Sequence, residues 1–236
     1  LKHLVINGCS YGRSWTNATQ LSERLAVDKM FNLSRPGSSN DRILRTTFEY
    51  VIRNPDVDFI IIMLTHSTRY EGPWRINRGT EEGDWISYSP TGISINCRDD
   101  EVNIDTEVVE TKFIKNKYVY DHNHAYVEKT LINLFLLINW LDSLNINYCI
   151  FNTCDNIYKE PGFINVQSFK SKLDLISKNK KVIDLLTFIS NQWMYDQGAI
   201  IPNSEIGIDP RIVHYGKDGY TLLNDFLYNY INEYCL

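Results

Sequence analysis

The sequence predicts a three-layer α/β/α sandwich built on a parallel sheet of about five strands. Three observations carry that expectation. Short apolar runs alternate with amphipathic segments in the first third of the chain. The run Asp58-Phe59-Ile60-Ile61-Ile62-Met63-Leu64 is continuous and rich in β-branched residues, as a strand covered on both faces requires. The same rhythm resumes after one long interruption. With 236 residues, 43% of them hydrophobic and 22% charged, the chain has the composition of a folded globular protein. We read 1–236 as one domain with an insertion over 72–121.

The elements follow in order. Leu4-Val5-Ile6, ending at Asn7-Gly8, is the first strand, and Thr16 to Val27 places Leu21, Leu25 and Ala26 at helical spacing. Met30 to Leu33 reads as the second strand, Asp41 to Arg53 as a helix, and Asp58 to Leu64 as the central strand. From Glu71 to about Asp121 the periodicity gives way to Gly, Pro, Trp and acidic residues, with alternation around Trp85 to Ile95 and Val108 to Val119. So long an excursion is expected to be a lid or hairpin region. A helix over His124 to Leu144, a strand over Asn147 to Asn152, a helix over Ser168 to Ser177 and a helical segment over Val182 to Trp193 come next. Gly219 to Tyr234 closes the chain as a packing helix through Leu222, Leu223, Phe226, Leu227, Tyr230 and Ile231.

Charge narrows the function. The formal net charge is −5 on 24 basic and 29 acidic residues, without a long basic run, so nucleic acid is not an expected partner. The longest apolar stretch, Leu131 to Leu141, contains Asn133 and Asn139 and is far shorter than the roughly 20 residues of a membrane-spanning helix. Five cysteines without a Cys-x-x-Cys pair suggest neither a disulfide framework nor a zinc knuckle. Leu1-Lys2-His3 does not open a signal peptide, and a reducing, cytoplasmic compartment is the expectation. No cofactor is expected, and the oligomeric state is open.

Three stretches carry candidate chemistry. Gly8-Cys9-Ser10-Tyr11-Gly12 lies between the first strand and the first helix, where backbone amides converge and the flanking glycines let a substrate approach the main chain. Alone, it reads equally as a tight turn with Ser10 as a helix cap. Asn32-Leu33-Ser34-Arg35-Pro36-Gly37-Ser38-Ser39-Asn40 follows the second strand and offers the Gly37 amide at the same sheet edge. Near the C-terminus, Asp209 precedes His214, so Ser, Asp and His occur in an order that a catalytic triad permits.

Together these blocks resemble the SGNH (GDSL-type) hydrolase family. Asn7-Gly8-Cys9-Ser10-Tyr11 is similar to the block holding the nucleophilic serine, and Gly37 matches the second-block glycine. His214-Tyr215-Gly216-Lys217-Asp218-Gly219-Tyr220 is similar to the final block, in which Gly-Tyr follows the histidine by five and six residues. The resemblance implies a flavodoxin-like sandwich, Ser10 as nucleophile, His214 as base, and the amides of Ser10 and Gly37 as oxyanion donors. Two positions depart from the family. No Asn follows the third strand, where Thr65 or Ser67 falls instead and Asn40 is a further candidate donor. Arg211 stands where the family places its acid, so Asp209 needs a longer loop. The expected activity is hydrolysis of an O-acyl ester of a carbohydrate or other small polar molecule, or acyl transfer by the same residues. A protein that keeps the fold and has lost the chemistry is the competing expectation.

Gly-x-Ser-x-Gly is also the nucleophile elbow of α/β-hydrolases, but that elbow follows several strands and Ser10 follows the first. Asp121, His122 and His124 read as a helix cap rather than a metal site. Trp74, Trp85, Tyr88, Tyr118 and Tyr120 either line an acyl or sugar pocket or hold the insertion together as a satellite core. Arg69 and Glu71 read as an ion pair, and Lys178 to Lys181 as a solvated run. Asn17-Ala18-Thr19 and Asn32-Leu33-Ser34 match glycosylation acceptors, with no secretory signal to give them force.

Overall fold

A computed structural model of the chain describes residues 1–13, 15, 17–35, 37–65, 70–73, 85–89, 92–94, 123–153, 167–185, 189 and 217–236. Four strands, β1 (His3–Asn7), β2 (Lys29–Asn32), β3 (Phe59–Leu64) and β7 (Asn147–Asn152), form a wholly parallel sheet in the order β2-β1-β3-β7. Between them run α1 (Ser10–Arg13), α2 (Ala18–Arg24), α3 (Asn40–Arg53) and α4 (Asn123–Ser143), followed by α5 (Gln167–Ser177) and α6 (Lys217–Tyr230). A π-helical turn over Ile231–Cys235 continues α6.

Alternation along the strands builds both layers of core. Ile60, Ile62 and Leu64 of β3 join Tyr148 and Ile150 of β7 under α3, α4 and α5, where Ile43, Leu131 and Leu173 meet them. The intervening Phe59, Ile61 and Met63 face the other way, against Leu21 of α2 and Leu223 and Leu227 of α6. All six residues of β3 are buried, as its unbroken apolar run requires of a strand covered on both sides.

The sequence predicts about five strands, and beyond the four of the parallel sheet the described residues add one parallel bridge, Val182 to Ile150, on the outer edge of β7. Ile150 N donates to Lys181 O and Ile183 N to Ile150 O. This corrects the helical reading of Val182 to Trp193 for its described start, since residues 182–185 are not helical. Val182-Ile183 is β-branched and meets an edge with unpaired backbone groups, and that pairing outweighs the helical spacing of the apolar residues. Lys181 is likewise less solvated than read, since its Nζ donates to Asn147 Oδ1 at 2.9 Å and lies over the Tyr148 ring.

Within the insertion, β4 (Tyr70–Pro73), β5 (Trp85–Ser89) and β6 (Gly92–Ser94) form a separate antiparallel sheet, with Tyr70 opposite Tyr88 and Ser87 opposite Ser94. No described helix is long and apolar enough to cross a membrane.

Candidate functional site

The candidate site is assembled at the carboxyl ends of β1, β2 and β3, and the end of β1 sets its geometry. Asn7, the last strand residue, is fully buried. Its Nδ2 lies 2.8 Å from Ile43 O and 2.9 Å from each hydroxyl of Thr46 and Thr47, tying β1 to α3. The chain then turns through Gly8-Cys9 and enters α1 with Ser10 as its first residue.

The two glycines make room for the protein itself. A Cβ on Gly8 would sit 2.8 Å from Met63 Cβ. One on Gly12 would overlap the Ser34 hydroxyl, 3.0 Å from Ser34 Cβ and 3.2 Å from Met63 Sδ. Their absent side chains therefore let the Ser10 turn lie directly on β3 and on the turn after β2.

That second turn is laced to the first. Arg35 N donates to Gly8 O at 3.2 Å and Asn32 Nδ2 to Gly12 O at 2.9 Å. Asn32 also accepts from Ser34 N through Oδ1, so both ends of its amide are engaged. Gly37 adopts a φ of 72°, and Ser38 N donates back to Arg35 O. Pro-Gly at the centre of such a turn is the sequence signature for a left-handed second residue. Ser39 caps α3, its Oγ accepting from Arg42 N at 3.1 Å. The buried Arg42 guanidinium holds Ser38 Oγ at 3.0 Å.

Asn40 connects this turn to β3. Its Nδ2 donates to Thr65 O at 3.1 Å while its Oδ1 accepts from Thr65 N at 2.8 Å, a two-point clamp on the backbone of one residue. Both residues are buried. The structure thus brings Gly37, Asn40 and Thr65 to the edge where the Ser10 turn lies. The second hydrogen on Asn40 Nδ2 has no acceptor among the described residues.

The tail reaches the same place. Tyr220 is buried on α6, and its hydroxyl donates to the carbonyl of Tyr11, next to Ser10, at 3.0 Å. Trp15 Nε1 donates to Asn224 Oδ1 at 2.9 Å, and Asn224 Nδ2 donates to Asn17 O at 2.9 Å. Outside these, Arg24 pairs with Asp225 and stacks over the Tyr228 ring.

Ser67, Asp209 and His214 lie outside the described residues, as do Arg69, Trp74, Tyr118, Tyr120, Asp121, His122 and Arg211. Ser10, Glu71, Trp85, Tyr88 and His124 are described in their backbone. Sequence reasoning missed Asn7, which it took as a turn residue, and the contacts made by Tyr220 and Asn224. A polar residue closing an apolar strand was the signal for Asn7. Asn224, midway along an apolar helix face, was the signal for the tail's attachment.

No family model matches the sequence, and no curated protein matches it either. Among the solved structures that match are two that share the fold over nearly the full length of both chains. One is EstA, a psychrotrophic esterase from a Pseudoalteromonas species, solved inhibited by monoethylphosphonate. It is 12% identical, with a TM-score of 0.50, over 99% of this chain and 98% of that one. The other is TesA, 11% identical, with a TM-score of 0.51, over 98% of this chain and 99% of that one.

Proposed function

We propose that this chain, which has the fold of the SGNH (GDSL-type) hydrolases, is a serine esterase acting on an O-acyl ester of a small polar molecule such as a carbohydrate. His214 takes the Ser10 hydroxyl proton, and Ser10 Oγ attacks the ester carbonyl. The tetrahedral oxyanion is held by the amides of Ser10 and Gly37 and by the spare N–H of Asn40. Collapse expels the alcohol, which leaves with the proton carried by His214, and water then cleaves the acyl-enzyme. Asp209 orients the imidazole.

The observation that supports this reading best is the hydrogen bond from Tyr220 to Tyr11. It joins the final sequence block to the serine turn, and α6 begins at Lys217, three residues after His214. Asn40 supports the third donor role: the Thr65 backbone fixes its amide plane and leaves one hydrogen unassigned. A donor of this kind contributes roughly 3 kcal/mol, or about 10²-fold in rate.

The test combines p-nitrophenyl acetate turnover with labelling by a fluorophosphonate probe, in the native protein, Ser10→Ala and His214→Ala. Ester turnover with label on Ser10, both lost in Ser10→Ala and strongly reduced in His214→Ala, is expected. A folded protein that neither turns over nor labels would be a binding protein on a hydrolase scaffold. Partition of the acyl group to an added alcohol rather than water would assign it as a transferase.

A further inference from the structure

Two neighbouring helices on the outside of the sandwich expose an apolar surface away from the candidate site. Phe48 and Ile52 of α3, with Ile132, Phe135 and Leu136 of α4 and Leu144 just beyond it, are each between 40% and 60% exposed. On α4 these residues recur at spacings of three, four and eight, a stripe along the solvent side of the helix. The surface is continuous between the helices: the Phe48 ring lies 4.4 Å from that of Trp140, and Ile52, Trp140 and Leu144 line one shared hollow. The opposite faces of both helices are already committed to the core through Ile43, Val51, Leu134 and Leu141.

We propose that this α3/α4 face is the interface of a two-fold symmetric homodimer. Area selects that occupant. At these exposures each large apolar side chain leaves on the order of 80 Å² in water, and the six together present roughly 500 Å². A homodimer interface of standard size buries about 800 Å² per partner, of which about two thirds is apolar, so a second copy of the same face supplies a match. Two flanking ion pairs close within the chain, Lys129 with Asp41 and Arg45 with Glu49, both at 2.9 Å, while exposed Arg53 beside Ile52 and Lys2 at the shared hollow carry no described ion pair. In a two-fold arrangement Leu136 lies near the axis and the stripe of one α4 packs on that of the other.

Sedimentation or light scattering at tens of micromolar protein tests the assignment. The native chain is expected at twice its 27.6 kDa mass, and Leu136→Glu at the monomer mass with an unchanged far-UV spectrum. Phe48→Ser, on the other helix, gives the same reading should Leu136→Glu fail to fold. A native protein that is monomeric at that concentration, or a dimer that both substitutions leave intact, overturns the proposal. So does capture of native monomer by anionic phospholipid vesicles, which would assign the face to a lipid surface. Esterase activity does not enter the readout, so failure here is separate from failure of the proposed function.

Discussion

Replacing Gly12 with alanine tests whether the Ser10 turn is held by close packing against its neighbours. Gly12 lies inside α1, where alanine is favoured over glycine by about 0.5–1 kcal/mol. Propensity alone therefore predicts a more stable protein. The new Cβ, however, overlaps the Ser34 hydroxyl and approaches Met63 Sδ at 3.2 Å, and overpacking of this kind costs about 1–3 kcal/mol. The net expectation is destabilisation of about 1–2 kcal/mol, or a fall of roughly 2–8 °C in Tm for a chain of this size. Ser34 supplies the control. Its Oγ is buried with no hydrogen-bond partner among the described residues, so Ser34→Ala alone is expected to be neutral or to stabilise by up to about 1 kcal/mol. Ser34→Gly removes both atoms in the way and leaves the flexible Met63 thioether as the remaining contact. Combined with Gly12→Ala it is expected to recover most of the loss, with a coupling energy of about 1 kcal/mol or more in a double-mutant cycle. Thermal unfolding gives the stabilities, and ester turnover reports whether Ser10 has moved. A Gly12→Ala protein as stable as the native one, or a loss that Ser34→Gly leaves untouched, would refute the packing argument.

Three further outcomes are expected. Asn40→Asp keeps an acceptor for Thr65 N and loses the donor to Thr65 O; it should lower stability by about 1–3 kcal/mol and kcat by about 10²-fold with little change in KM, measured by thermal unfolding and steady-state kinetics. Tyr220→Phe leaves the Tyr11 carbonyl without its buried donor. Turnover should fall by about 10-fold or more through misplacement of the serine turn, and a variant with native kcat would show that the tail does not position it. Burial raises the Tyr148 phenol well above its ordinary value, with its bonds to Asn179 and Asp142 acting in opposite directions. A raised folded-state pKa stabilises fully below the unfolded value and is lost as pH climbs through the folded one. Tm should therefore fall above about pH 10, and Tyr148→Phe should flatten part of that limb in scans between pH 9 and about 11.

The framework of the fold was legible because burial writes itself into residue type. The unbroken run from Phe59 to Leu64 could be nothing but a strand covered twice, and Asn147–Asn152 was bounded correctly by its polar ends. Val182 was misjudged because a β-branched residue takes its conformation from the edge it meets, and that edge is supplied by Ile150, far away in sequence. The candidate site divides in the same way. Gly37 was chosen for its amide, and the left-handed φ it adopts is one that its Pro-Gly sequence favours locally. The glycines at 8 and 12 were read as allowing a sharp turn and a close substrate, and what the fold adds is that they also make room for Met63 and Ser34. Asn40 was chosen for its amide, whereas its commitment to the Thr65 backbone depends on how α3 docks beside β3, which no local pattern encodes.

The bond from Tyr220 to Tyr11 spans 209 positions of the chain, which has a consequence for assembly. A growing polypeptide can pair its first three strands early, since each neighbour is close in sequence, yet the Tyr220 hydroxyl that reaches the Tyr11 carbonyl is made 209 positions later. Closing so long a loop draws its stabilisation from contacts that exist only when the last helix arrives. The turn after β1 is therefore completed only once α6 has docked, and a chain lacking α6 would carry the sheet without that bond.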